Sequence, residues 1–162
     1  MKLRIVAQIA FIVILLCQFA ASQKIDLTKL KGMSVRNIGP AGMSGRVTAI
    51  DVDKKNNIIY IGTASGGVWA SLNGGISWKP IFDDQPTQSI GCIKVNQRNP
   101  DEIWVGTGEG NPRNSHNAGQ GIFHSLDGGK TWACMGLKQS RLIHRILIDA
   151  DDPATVYAGV LG

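Results

Sequence analysis

The chain has 162 residues, of which 43% are apolar, with 17 lysines and arginines against 12 aspartates and glutamates. This apolar content and modest charge exclude a wholly disordered chain, and the length predicts one domain or part of one. Its 20 glycines exceed the roughly 7% of an average protein, while only 6 prolines and no three-residue glycine period exclude collagen. The composition therefore predicts a folded chain with many tight turns.

The first 22 residues are predicted to be a cleaved secretory signal peptide. Two basic residues open the segment, residues 9–17 form an unbroken apolar run, and the small Ala20 and Ser22 precede the cleavage site. An uncleaved anchor is the less favoured alternative, because a spanning helix needs about 20 apolar residues. We expect a secreted or periplasmic protein that starts at Gln23 and has no membrane span after cleavage.

Removal of this segment leaves 140 residues and lowers the formal net charge from +5 to +3. The remaining basic residues are scattered and not interleaved with aromatic ones, so nucleic-acid binding is not predicted. No His or Cys pair has the spacing of metal ligands. The GTGEG stretch (106–110) lacks the third glycine and the following helix of a phosphate-binding loop. We expect neither a metal nor another cofactor.

Residues 23–162 form the predicted mature chain, and a repeat runs through it from residue 47 onwards. Three apolar segments align, and a second strand-like segment follows each; the pairs are 47–53 with 60–63, 90–96 with 104–107, and 143–149 with 157–160. The first two units continue into a third strand, an octet and a fourth short strand. Four short strands per unit of about 40 to 50 residues are typical of a β-propeller blade. A β-sandwich is the alternative, but it gives no reason for an octet to recur at one place in each unit.

The sequence therefore predicts an all-β fold of four-stranded antiparallel propeller blades, with repeats that start near 47, 90 and 143. Within 47–53, Val47, Ala49 and Asp51 should face one side and the alternate residues the other. Both sides are largely apolar, as expected of a sheet packed between neighbouring sheets. The last repeat is truncated, so we expect that further blades, or other copies of the chain, complete the propeller.

The octets read SLNGGISW (71–78) and SLDGGKTW (125–132). Their pattern, S-x-[DN]-x-G-x-[ST]-W, resembles the Asp-box of BNR repeats. Ser and Asp side chains accept bonds from turn amides, Gly adopts a positive φ, and Trp offers an apolar face for packing on the next blade. The residues assigned to this structural role are Ser71, Asn73, Gly75, Ser77 and Trp78, and Ser125, Asp127, Gly129, Thr131 and Trp132. Because the first copy carries Asn where the second has Asp, the octet is predicted to be structural and not catalytic.

The blade edge opposite the octets is predicted to hold any binding site, since loops on a rigid scaffold commonly carry function. A Gly-rich segment (36–46) with Arg at both ends lies there, and so does a ten-residue insertion within the loop 108–121. The candidate ligand-binding residues are Arg36, Arg46, Glu109, Asn111, Arg113, His116 and Asn117. The alternative is that Asn and Gly only form turns here, while Arg113 and Glu109 form local ion pairs. His124 and His144 fall within strands and are expected to be packing or surface residues.

Two cysteines remain after cleavage. Cys92 lies on the predicted innermost strand of the second blade and Cys134 on its outermost strand. Three inter-strand steps of about 4.8 Å separate them, which exceeds the limit of about 7 Å for a bridge. We predict no disulfide between them.

RNIGP (36–40) followed by GRV, GTASGGVW (62–69) and the two octets resembles the secreted bacterial BNR-repeat proteins with a sortilin (Vps10)-like N-terminal propeller. Many of these are called glycosyl hydrolases, and the resemblance covers residues 33–162. Xyloglucan-cleaving propeller glycosidases are more distant relatives in architecture. Their motif has a catalytic Asp after Thr in an early blade, and Ala64 follows Thr63 here. The resemblance therefore implies no catalytic residue in this chain.

Three functions follow from these patterns. The leading expectation is a non-catalytic binding domain for a protein, peptide or glycan outside the cytoplasm. The alternative is part of a glycoside hydrolase whose catalytic carboxylates lie on blades not present here, because such enzymes normally need a pair of carboxylates. The third is a structural scaffold for appended modules.

Overall fold

The structure is a computed structural model, and it describes residues 46–111 and 117–162. The signal-peptide segment lies outside these ranges, as do the candidate residues Arg36, Arg113 and His116. The described part of the chain is all β and contains no helix, and so none long and apolar enough to cross a membrane.

Ten strands form the described fold: β1 (Val47–Asp53), β2 (Ile58–Thr63), β3 (Val68–Ser71), β4 (Lys79–Pro80), β5 (Ile90–Val95), β6 (Ile103–Thr107), β7 (Ile122–Ser125), β8 (Ala133–Gly136), β9 (Leu142–Ile148) and β10 (Val156–Leu161). They make two four-stranded antiparallel sheets, in the orders β1-β2-β3-β4 and β5-β6-β7-β8, and one two-stranded sheet of β9 and β10. Each sheet is a meander of consecutive strands, as in a propeller blade. The predicted fold class is confirmed, and the sheets are called blade 1, blade 2 and unit 3 below.

The first strands of the three sheets lie side by side: β1 contacts β5, and β5 contacts β9. These are the inner strands of propeller blades, and β4 and β8 are the outer ones. Asp51 on β1 accepts a hydrogen bond from the backbone N–H of Val95 on β5 (2.9 Å) and pairs with Lys94 (3.0 Å). The sheets are therefore joined at their inner edge by polar contacts as well as by packing.

The hydrophobic core lies between sheets. One buried cluster fills the space between blades 1 and 2, and its members are Tyr60, Val68, Phe82, Ile90, Ile93, Val95, Ile103, Val105 and Phe123. A smaller cluster of Cys92, Ile122, Ile143 and Ile146 fills the space between blade 2 and unit 3. Because side chains of both faces of blade 2 enter these clusters, its strands are apolar on both sides, as predicted.

The outer sheets of the described fold are covered on one face only. Ile50, next to Asp51 and on the opposite face of β1, is 65% exposed. Tyr157 on β10 occupies the repeat position of Tyr60 on β2, yet it is 58% exposed where Tyr60 is 2% exposed. The expectation that both faces of a repeat are packed therefore holds within the described residues for blade 2 alone.

Trp132, the last residue of the second octet, packs on the preceding blade and not on the next one, which corrects the expectation. Its indole N–H donates to the carbonyl of Ile81 (2.7 Å), and its ring lies edge-on to Phe82 with centroids 5.1 Å apart. Both partners follow β4 of blade 1. The twist of a sheet rotates each strand relative to its neighbour, so the outer edge of blade 2 leans over blade 1.

Each inner strand carries a β-bulge at its second or third residue. The pairing register skips Thr48 in β1, Gly91 in β5 and His144 in β9. The bulge breaks the strict alternation predicted for 47–53, because Thr48 also reaches blade 2 and donates to the carbonyl of Ile90 (2.6 Å). At Gly91 a Cβ would lie 2.2 Å from the carbonyl oxygen of Ile143, so only glycine fits where β5 meets β9.

The octets form the β3–β4 and β7–β8 turns. In each, the buried Ser hydroxyl accepts from the amide of the second glycine, Gly75 at 2.8 Å and Gly129 at 2.9 Å. The third residue then accepts from the amide of the seventh through its side-chain oxygen, at 2.9 Å in both copies. Asn73 and Asp127 therefore perform the same structural task.

Candidate functional site

The loops at the two ends of the strands differ. The turn face is the end with the β1–β2 turn (54–57) and the octets. The loop face is the opposite end, with the β2–β3 loop (64–67), the β6–β7 loop (108–121) and the connections 81–89 and 137–141. The candidate ligand-binding residues that the structure describes, Arg46, Glu109, Asn111 and Asn117, are all on the loop face.

The β6–β7 loop crosses from blade 2 onto blade 1. Glu109 forms an ion pair with Arg46, which immediately precedes β1. Asn117 donates its side-chain N–H to the carbonyl of Ala64 (3.2 Å), and its own carbonyl accepts from the hydroxyl of Ser89 (2.9 Å). These contacts hold both ends of the loop against the start of two inner strands.

The same loop also contacts unit 3. The amide of Gly119 donates to the carbonyl of Arg141 (2.7 Å), just before β9. Gly110 lies against His144, because a Cβ at position 110 would come within 2.5 Å of the His144 Cβ and 3.0 Å of Nδ1. The loop therefore spans the beginnings of all three inner strands.

Glu109 is fully buried, whereas the Arg46 side chain is 49% exposed. Burying a carboxylate is costly unless it is paired and hydrogen-bonded, and the guanidinium of Arg46 provides such a pair. This partner comes from blade 1, while the alternative partner Arg113 lies outside the described residues. Arg46 can present its remaining N–H groups to solvent at the loop face, since a guanidinium has five.

Two threonines, at the ends of β2 and β6, join the two ends of the β2–β3 and β6–β7 loops by hydrogen bonds. Thr63 accepts from the amide of Gly66 (2.8 Å) and donates to the carbonyl of Gly67 (3.1 Å). Thr107 does the same with Gln120 (2.8 Å) and Gly121 (2.6 Å). The long loop of blade 2 therefore has its two ends joined by the same threonine bonds as the short loop of blade 1. The repeated Gly-Thr at the end of β2 and β6 is the sequence signal for these bonds.

Ala64, at the position of the glycosidase carboxylate, is buried and donates its amide to the carbonyl of Arg46 (3.0 Å). It brings no ionisable group to the loop face. Asn111 is exposed at the start of the insertion. The exposed Arg46, Asn111 and Asn117 offer hydrogen-bond donors and acceptors to a ligand, while the carboxylate of Glu109 is buried against Arg46.

His144 was assigned to packing or surface by sequence reasoning, and the structure places it, exposed, beside the candidate site. Its position beside the loop could not be predicted, because the bulge at that residue is not visible in the sequence pattern. His124, by contrast, stacks on Trp104 with centroids 3.9 Å apart and contacts Glu102 (3.1 Å). Burial alone would raise the pKa of Glu102, but hydrogen bonds from Asn96, Trp104 and His124 hold it below its ordinary value.

The cysteines are free and lie on β5 and β8, the first and fourth strands of blade 2. Burial raises the pKa of the Cys92 thiol to about 12, so it is not a nucleophile at neutral pH. Across residues 46–111 and 117–162, no group of three or more His, Cys, Asp or Glu side chains is placed to hold a metal ion.

No family model matches the chain, and no curated protein matches it. Among solved structures it resembles the crystal structure of a Niastella koreensis GH74 enzyme, with a TM-score of 0.55 and 22% identity over 70% of this chain. It also resembles the crystal structure of an ancestral GH74 enzyme, with a TM-score of 0.55 and 26% identity over 70% of this chain. The chain spans 17% and 16% of the lengths of those two structures. The chain is thus similar in fold to part of propeller-type glycoside hydrolases.

Proposed function

We propose that the chain is the N-terminal part of an exported β-propeller of the Asp-box type, with a sortilin-like N-terminal propeller, and that its loop face binds an extracellular glycan. The observation that carries this proposal is the β6–β7 loop, which is held against three inner strands and buries Glu109 beneath Arg46. Loops positioned by a rigid scaffold are where binding residues concentrate. Further blades, or other copies of the chain, would complete the propeller around this face.

The choice of a glycan over a protein or peptide rests on two observations. The solved structures that the chain resembles are GH74 enzymes. The loop face also offers amide and guanidinium groups from Asn111 and Arg46, which suit the dense hydroxyl groups of a sugar. Fold similarity is an argument by analogy, so the residues and not the fold have to be tested.

A hydrolase is the second candidate, since the similar structures are enzymes. A retaining glycosidase needs two carboxyl groups about 5 Å apart, and an inverting one about 6.5 to 9.5 Å. The inner part of the described loop face supplies one, Glu109, while Ala64 stands at the other expected place. Hydrolysis would therefore require a second carboxylate, from the outer part of this face or from outside the described residues.

The experiment is affinity electrophoresis of the secreted protein through gels that contain one of a panel of plant or bacterial polysaccharides. Arg46→Gln and Asn111→Ala test the loop face, and Lys55→Gln on the exposed turn face is the matched control for lost charge. We expect at least one polysaccharide to retard the protein, and the loop-face variants to weaken that retardation several-fold while Lys55→Gln leaves it unchanged. Each variant's melting temperature is measured to confirm that it folds.

Retardation by no polysaccharide, or an equal loss in Lys55→Gln, would contradict the binding proposal. The same panel is assayed for newly formed reducing ends. Release of reducing sugar that disappears on changing a specific carboxylate would favour the hydrolase instead.

A further inference from the structure

We infer that the ligand of the loop face is an acidic polysaccharide, bound through its carboxylates by Arg46, Arg141, Arg145 and His144 along the inner strands. This inference rests on the proposed glycan-binding function and adds the chemical class of the glycan. It also adds His144 and two arginines that sequence reasoning did not select.

The first observation is the placement of the cations. Arg46 immediately precedes β1, and Arg141 immediately precedes β9. Their backbone carbonyls accept hydrogen bonds from Ala64 and Gly119, in the β2–β3 and β6–β7 loops. Both backbones are thus fixed at the loop face while both side chains remain exposed to solvent. Arginine matches a carboxylate with two parallel hydrogen bonds.

The second observation is the residue at the third bulge. Bulges re-aim side chains and are frequent next to active sites. In β1 the bulge residue, Thr48, is used internally by its bond to the carbonyl of Ile90, and in β5 Gly91 has no side chain. His144 in β9 is exposed and lies against Gly110 of the β6–β7 loop. The bulge thus presents an imidazole where the other two inner strands present nothing to a ligand.

The third observation is how the charges are sorted on the loop face. Arg46 and Arg141 immediately precede inner strands, and Arg145 is the fourth residue of β9. The acid described beside Arg46, Glu109, is buried and paired with it. Other charged groups of this face, Asp83, Asp84 and Lys138, lie in the connections that follow the outer strands β4 and β8. The inner edge therefore carries net positive charge, which attracts an anionic ligand.

A position for Arg145 follows from its neighbours. Gly159 of β10 lies directly opposite Arg145. The Arg145 charge also acts on Cys92 of β5: burial raises the pKa of the Cys92 thiol, and Arg145 opposes that rise. Arg145 is thus close to the inner edge of blade 2 while it stays exposed. Together with Arg46 on blade 1, the cations lie on the two sheets that flank blade 2.

This spread favours a polymer. Packed sheets are about 10 Å apart, so Arg46 and Arg141, two sheets apart, are separated by at most roughly 20 Å. A polysaccharide that carries a carboxylate on every sugar can meet both at once, whereas a single carboxylate cannot. Linking several weak contacts in this way raises the total affinity without any new contact.

The test compares polygalacturonate, neutral xyloglucan and poly-glutamate as gel-embedded probes for the full secreted chain. The loop-face variants are Arg141→Gln, His144→Gln and Arg145→Gln. Lys55→Gln and Lys130→Gln remove the same charge from exposed lysines of the turn face and are the matched controls. Mobility in a gel without polymer corrects for the change in net charge, and melting temperatures confirm folding.

We expect polygalacturonate to retard the protein and xyloglucan to have little effect. Arg141→Gln should weaken binding to polygalacturonate about tenfold, His144→Gln and Arg145→Gln by a few-fold, and the lysine variants should bind as the wild type does. Raising the salt concentration should weaken binding further, because exposed charges are screened.

Retardation by xyloglucan but not by polygalacturonate would overturn this inference and leave the glycan-binding proposal standing. Equal weakening in the lysine variants would show that binding is diffuse and would also overturn it. Equal binding of poly-glutamate with the same loss in Arg141→Gln would replace the saccharide with an acidic peptide. If none of the probes is retarded, the inference fails, and the wider panel above decides the proposed function separately.

Discussion

Replacing Ser125 with alanine tests whether the octet is a structural element of blade 2. The Ser125 side chain is 1% exposed, and its hydroxyl accepts from the amide of Gly129 (2.9 Å) and donates to Asp127 (2.8 Å). Alanine is no larger than serine and fits the same turn, but it removes both hydrogen bonds. The amide of Gly129 is then left buried without this acceptor.

An unsatisfied buried donor costs about 1–3 kcal/mol, and we expect Ser125→Ala to lower the free energy of unfolding by about 2 kcal/mol. Ser71→Ala makes the same change in blade 1, where the accepting hydroxyl bonds the amide of Gly75 (2.8 Å). Gly75 is half-buried, so water can replace part of the lost bond. The cost there should be smaller, about 1 kcal/mol.

The assay is urea unfolding of the chain, followed by tryptophan fluorescence. With a slope of about 2 kcal/mol per molar urea, Ser125→Ala should move the midpoint down by about 1 M. Leu126→Ala is the control, because the neighbouring Leu126 is 65% exposed and surface changes usually stay within about 0.5 kcal/mol. A Ser125→Ala midpoint equal to that of Leu126→Ala would refute a structural role for the octet.

Three further predictions follow from the geometry. Gly91→Ala should destabilise the chain by at least about 1–3 kcal/mol, because the added Cβ would meet the backbone of unit 3. Gly159→Ala should cost less, since its Cβ would lie 3.2 Å from a side-chain carbon of Arg145. Unfolding midpoints that fall equally in the two variants would contradict this. Cys134, which is exposed, should react with a thiol reagent at pH 8 and Cys92, whose pKa is raised to about 12, should not until the chain unfolds; equal rates in the folded chain would disprove it. Hydrogen bonds from Thr131, chiefly, lower the pKa of Asp127 to about 2. The contribution of the Asp127 carboxylate to stability is therefore complete above its ordinary pKa of 3.8 and is lost as the pH falls towards 2. Asp127→Asn should lose less stability than the wild type between pH 4 and 2, and identical acid unfolding curves would argue against this.

The repeat made most of the fold predictable. The alignment of 47–53, 90–96 and 143–149 placed the three inner strands within one residue of β1, β5 and β9. The octets placed the outer turns, because a Ser hydroxyl and a glycine of positive φ are local requirements that the sequence states directly. Gly75 and Gly129 have φ of 91° and 86°. These features depend on neighbouring residues and not on the tertiary arrangement.

What the sequence did not reveal depends on contacts between blades. The bulge at His144 needs a partner strand to be recognised, so alternation alone assigned this residue to packing or surface. Trp132 was expected to pack forwards because the sequence carries no information on the direction in which the sheet twists over its neighbour. Glu109 pairs with Arg46, which is 63 residues away in the sequence, and no local pattern links the two.

A second repeated turn also escaped sequence reasoning. Asp53 at the end of β1 accepts from the amides of Lys55 (2.8 Å) and Asn56 (3.1 Å). Asn96 and Asp149 take the same position after the other inner strands and accept from the amides that follow them. The aligned Asp, Asn and Asp at these positions are the signal that could have predicted it, since such side chains commonly cap turns.

The central claim, that the loop face and not the turn face binds an acidic glycan, is tested most directly by hydrogen–deuterium exchange of the chain with and without polygalacturonate. The account predicts that the polymer slows amide exchange in 108–121 and 141–145 and leaves the octets at 71–78 and 125–132 unchanged. Slower exchange in the octets, with none in the β6–β7 loop, would contradict it.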